Sequence, residues 1–198
     1  MELLSELMKI LLAVSNSLLY PVLILLIVLV ALCFAYTGGL LSEYSKRSSN
    51  LEEKINGGHL SGFYKKLNEL LAGHHSDEEI ITREVERLLQ AEEVGIMKKL
   101  EKPRMLIRVG PILGLMGTLI PLGPALLGLS AGNIEQLANN LVIAFTSTVV
   151  GLLIGAVSMV VATVRQRWYM EDMNDMEYVA EKLIKTTRFH KINTEERK

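Results

Sequence analysis

Three long apolar runs separated by polar stretches mark this chain as one that crosses a membrane. The first run covers residues 18–41, and two more, 105–129 and 137–164, are separated by a short polar connection at 130–136. Each is long enough to cross roughly 30 Å of hydrocarbon at about 1.5 Å per residue of helix. Inside the second and third runs the small residues are themselves periodic. Gly110, Gly114, Gly117, Pro121, Pro124 and Gly128 follow at steps of four, three, four, three and four, and Ala144, Thr148, Gly151, Gly155, Ser158 and Ala162 repeat those steps. Such spacing puts each set on one helix face. In lipid a small-residue face lets backbones approach closely, so both helices are expected to pack against other helices and to drive homo-oligomerisation.

The polar segments read as helices too. Residues 1–17 are predicted as an amphipathic helix on the outer interface, with a plain extension of the first span as the alternative. Residues 42–104 form a long loop in which Ser76-Asp-Glu-Glu79 is a capping box. The helix it opens carries Ile80, Ile81, Val85, Leu88, Leu89, Ile96 and Leu100 on its apolar stripe as far as about Lys102, where Pro103 kinks the approach to the second span. Breaks at Asn56-Gly57-Gly58 and Gly73-His-His75 isolate a short helix around Phe63–Leu71. Past Arg165 a stripe of Met173, Met176, Ala180 and Leu183 extends the third span into a helical tail, residues 165–198. No segment alternates as a strand does. The fold class is therefore an all-α integral membrane protein.

Charge sets the expected orientation. The stretch Ser42–Arg108 holds twelve Lys and Arg and the tail from Arg165 holds eight, whereas the 130–136 connection has none and the N-terminal segment only Lys9. The positive-inside rule then places the long loop and tail in the cytoplasm, with the N-terminus and the short connection outside. Arg165, Arg167, Trp168 and Tyr169 are expected at the inner interface, as Tyr20 and Tyr36 are near the ends of the first span. A net charge of −1 and the absence of basic runs give no reason to expect nucleic acid. Cys33, the only cysteine, sits in an apolar run and reads as a small buried hydrophobe.

Enzyme chemistry fails at inventory. His59, His74, His75 and His190 lie in polar stretches without ligand spacing, so no metal site and no cofactor are expected. Gly110-Pro-Ile-Leu-Gly114 lacks the Lys-Ser/Thr of a phosphate loop. What remains is hydroxyls at membrane depth: Thr118, Thr146, Ser147, Thr148 and Ser158. Thr146 and Ser158 read most simply as bonded to a carbonyl one turn back. Thr118 and Thr148 lie near mid-span, where a hydroxyl can line an ion path. From Val109 to Val164 the one formal charge is Glu135, in the connection. A proton relay needs an ionisable group near mid-depth, so any such group must come from another polypeptide.

At these residues the chain resembles the MotA/TolQ/ExbB proton-channel family. Gly110-Pro-Ile-Leu-Gly-Leu-Met-Gly-Thr118 is similar to the family's P-x-L-G-L-x-G-T, and Ala144-Phe-Thr-Ser-Thr-Val-Val-Gly-Leu152 to its A-L-x-x-T-x-x-G-L. Three spans and a long cytoplasmic loop resemble the ExbB/TolQ branch more than four-span flagellar stators. The resemblance implies a homopentamer around a single-span ExbD/TolR/MotB-like partner that brings an ion-binding Asp. It also implies H⁺ or Na⁺ as the transported ion, and pore-lining roles for Thr118 and Thr148, with Thr146 beside them. Gly110, Gly114, Gly117, Gly151 and Gly155 are the expected packing positions. One departure is Ile143, where ExbB/TolQ members often carry Glu. The competing readings are a passive oligomeric scaffold and, less compatible with three spans and no intramembrane charge, a self-sufficient transporter.

Overall fold

The computed structural model describes residues 2–47, 51–56, 58, 60–73 and 78–195. Five helices account for nearly all of them: α1 (Glu2–Lys46), α2 (Leu51–Asn56), α3 (Ser61–Gly73), α4 (Glu78–Ser130) and α5 (Ile134–Glu195). Among the described residues there is no strand. Three helices, α1, α4 and α5, contain segments long and apolar enough to cross a membrane. With 53 and 62 residues, α4 and α5 are more than twice the roughly 20 residues a bilayer requires. Helix α4 runs without interruption past Pro103. The residues expected as a separate interfacial helix are, from Glu2 on, continuous with the first span in α1, and Leu12 lies against Gly123 of α4. Ser76 and Asp77 of the capping box, with His59, His74 and His75, fall outside the described residues; α4 begins at Glu78.

The chain divides into two compact units, one of Met1–Gly39 with Lys102–Ala162, the other of Leu40–Glu101 with Thr163–Lys198. In the first, Val22, Leu26 and Leu29 of α1 pack with Leu106, Leu113 and Ile120 of α4 and Ile154 of α5. The outward surfaces are as apolar as the core: Ile24, Ile27 and Phe34 on α1, Ile112, Leu115 and Leu119 on α4, Val142, Phe145 and Val149 on α5 are all exposed. So large an apolar surface is untenable in water and ordinary in a bilayer or between neighbouring helices.

The second unit has a core of the kind found in water-soluble helical proteins. Leu60, Phe63, Leu67 and Leu71 pack with Val85 of α4 and with Met176, Val179 and Ala180 of α5. The stripe of Met173, Met176, Ala180 and Leu183 belongs to this cluster. Trp168 and Tyr169 have packing partners that the sequence did not reveal. Both are buried within the chain. Arg47 stands 5.3 Å over the Trp168 ring, Tyr44 stacks on that ring at 6.1 Å, and Lys99 lies 5.9 Å from Tyr169. The physical reason is that cationic partners from α1 and α4 cover both rings, and an interfacial aromatic and a packed one look alike in sequence. Burial, and then the Glu43 carboxylate, pushes the Tyr169 phenol above its ordinary range.

Candidate functional site

The turn between α4 and α5 creates the site by folding the two small-residue faces together. Gly132 adopts φ +71°, a left-handed conformation that costs a residue with a Cβ about 1–2 kcal/mol. Asn133 N–H donates to the Gly128 carbonyl at 2.8 Å and Gly132 N–H to Leu129 at 3.0 Å, the paired bonds of a Schellman stop. Asn133 then accepts the Gln136 amide on its side-chain oxygen at 2.9 Å, capping α5. Three residues, 131–133, therefore end one helix and start the next.

The hairpin brings Gly110 and Gly114 of α4 against Gly151 of α5. A methyl group built on Gly151 would lie 2.6 Å from the Gly110 carbonyl oxygen and 2.7 Å from the Gly114 Cα. One on Gly155 would meet Pro111 at 2.7 Å, and one on Gly117 would meet the Ser147 side chain at 2.6 Å. Both small faces pack helix against helix, and the facing helix is the chain's own. They are consumed by each other within one chain, because the tight turn sets equal repeats side by side and nothing larger than hydrogen fits between the backbones.

The hydroxyls divide among distinct surroundings. Thr148 is half-buried at the edge of the seam, its Oγ1 3.3 Å from the Ala144 carbonyl and 3.5 Å from that of Gly114 across the hairpin. Thr118, one turn beyond Gly114 and also half-buried, donates to Leu115 at 2.7 Å. Thr146 is exposed on the other side of α5 from Thr148, since two residues rotate a helix by about 200°. Ser147 is buried, donates to Ala144 at 2.8 Å and meets Gly117. Ser158 is buried on the same face with no hydrogen-bond partner among the described residues. Thus Thr148 joins the two motifs physically through Gly114, while Thr146 points elsewhere. Ser147 received no role from sequence, although its place three residues after Ala144 puts it on the buried side.

Chemically the seam offers hydroxyl oxygens and backbone carbonyls and no titrating group. Glu135 is exposed in the first turn of α5. Such a surface can accept hydrogen bonds from, or donate them to, a group delivered from outside the chain. No individual curated protein matches the chain. The model of the MotA/TolQ/ExbB proton channel family matches residues 56–178, a stretch that contains both motifs and the whole hairpin. A match over more than half its length, centred on the seam, makes the chain a member of the MotA/TolQ/ExbB proton channel family.

Proposed function

We propose that the protein is the channel-forming subunit of an ion-motive-force-driven motor or energy transducer. It surrounds a single-span ExbD/TolR/MotB-like partner as a homopentamer and couples H⁺ or Na⁺ flow to mechanical work across an envelope. The observation that carries this reading is an inventory. A multi-pass member of a proton channel family holds hydroxyls at mid-span but has no charge between Val109 and Val164 other than exposed Glu135. Ion passage then needs a carboxylate from a second polypeptide. Three spans favour the ExbB/TolQ branch. The charge distribution favours the cytoplasmic (inner) membrane with N-terminus outside and the long loop and tail inside.

In this reading Thr118 and Thr148 present hydroxyls to the partner's Asp or its bound ion, with Thr146 a minor contributor. Thr148 is suited to the task because its bond across the seam is long at 3.5 Å, so its hydroxyl can turn to a better acceptor at small cost. The test is ion flux into vesicles holding this protein and its partner. Thr148→Val preserves shape and removes the hydroxyl; it should leave assembly intact and reduce flux strongly, toward that of the partner's Asp→Asn variant. Thr146→Val should do less. Full flux in the Thr118→Val, Thr148→Val double variant would return both residues to helix packing and favour a passive scaffold.

A further inference from the structure

The second unit contains a set of ion pairs, the central one buried, that the channel reading does not use. Asp172 of α5 is almost fully buried and receives both guanidinium nitrogens of Arg47, the Nη1 to Oδ2 distance being 3.3 Å. The same Arg47 Nη2 donates to the Trp168 carbonyl at 2.8 Å, and the guanidinium stands over the Trp168 ring. On one side of this knot Arg165 Nε lies 3.3 Å from a Glu43 carboxylate oxygen; on the other Lys54 Nζ lies 2.5 Å from Asp175. Along α5 the charges facing these groups are plus at 165 and minus at 171, 172 and 175. Along α1 and α2 they run minus, plus, plus at 43, 47 and 54.

We infer that this charge sequence is a register lock, built to hold the end of α1 at one axial position on α5. Stability alone does not account for it. A buried ion pair is commonly no more stabilising than well-packed apolar residues of the same volume, because desolvation offsets attraction. What it adds is direction. A carboxylate gripped by two nitrogens of one planar guanidinium, itself fixed by a carbonyl and an aromatic face, permits one distance and one angle. Apolar side chains between two helices tolerate sliding. Slippage by one turn in either sense takes Arg47 off the Trp168 carbonyl and ring, contacts that no neighbouring carboxylate replaces. Glu43 and Arg47 lie outside the stretch matched to the family model, so the lock joins a helix without family motifs to the helix that carries one. If the proposed motor reading holds, the end of α1 moves with the tail of α5; the lock itself does not depend on that reading.

The experiment measures register directly on the full-length protein without any partner, so its outcome is independent of ion conduction. Spin labels replace Leu41 of α1 and Met170 of α5, both exposed, in a Cys33→Ala background. Pulsed dipolar spectroscopy on the otherwise unaltered chain should give a single narrow distance. In Arg47→Met, Asp172→Leu the thermal midpoint should change little while the distribution gains populations displaced by up to about one helical pitch, ~5 Å. Arg47→Lys, which keeps the charge, should stay closer to the narrow distribution. Should the Met–Leu variant not fold, Arg47→Gln, Asp172→Asn is measured in its place, keeping hydrogen-bonding groups without charge. A single narrow distance in a folded, uncharged double variant overturns the lock and assigns register to apolar packing.

Discussion

A glycine's worth here depends wholly on what stands opposite it. A methyl group on Gly151 would stand only 2.6 Å from the nearest atom, and the atoms in the way are backbone of the facing helix, which cannot rotate aside. Gly95, also inside α4, has nothing within 4 Å. The same substitution should therefore have opposite signs. Gly151→Ala must separate α4 from α5 and should cost about 1–3 kcal/mol, as overpacking does. Gly95→Ala should stabilise by up to about 1 kcal/mol through helix propensity alone. Thermal unfolding in detergent followed by circular dichroism decides this, and equal, small effects at both sites would refute the tight hairpin. The periodicity of the glycines was legible in the sequence. Their partner was not, since a stripe at 3.6-residue spacing states that a face is small and leaves open which helix receives it.

The α4–α5 hairpin turns on three residues, and its geometry can be attacked at one. Gly132 is the one described residue of positive φ for which the backbone itself demands glycine. Gly132→Val should cost about 1–2 kcal/mol or more, because left-handed backbone is strained for any Cβ and worst for a β-branched residue. Asn133→Ala should cost about 1 kcal/mol by uncapping α5. Both are read as lowered thermal midpoints, and Gly132→Val at the unaltered midpoint would contradict the turn. This element was readable in advance: Ser130-Ala-Gly-Asn133 is the one polar break in a long apolar tract, and Gly-Asn is the chemistry a helix stop and restart requires. The Arg47–Asp172 knot was not readable. Its members are 125 residues apart, and each lies in a charged stretch that reads as a solvated helix face. The partners of Trp168 were hidden for a related reason: aromatic and basic residues after an apolar run read as an interfacial belt whether or not other helices cover them.

At the scale of the whole molecule, side of the membrane is set by a charge difference that packing does not control. The connection between α4 and α5 offers no Lys or Arg at all, while the long loop and tail hold twenty of the chain's 21 with the tail's eight and the loop's twelve. Moving a helix end bearing many cations across a bilayer is opposed by the membrane potential and by anionic lipid on the inner surface, each at roughly 1 kcal/mol or more per charge. A single reversed hairpin would have to overcome that difference many times over, so one orientation should dominate completely. Ser130 and Glu181 are both exposed and report on the two sides. In a Cys33→Ala background, Ser130→Cys in intact cells should react with a membrane-impermeant thiol reagent, and Glu181→Cys should react only after the membrane is permeabilised. Labelling of Glu181→Cys alone in intact cells would invert the topology. Under the proposed function it would also reverse the direction in which a partner's carboxylate would be loaded and released.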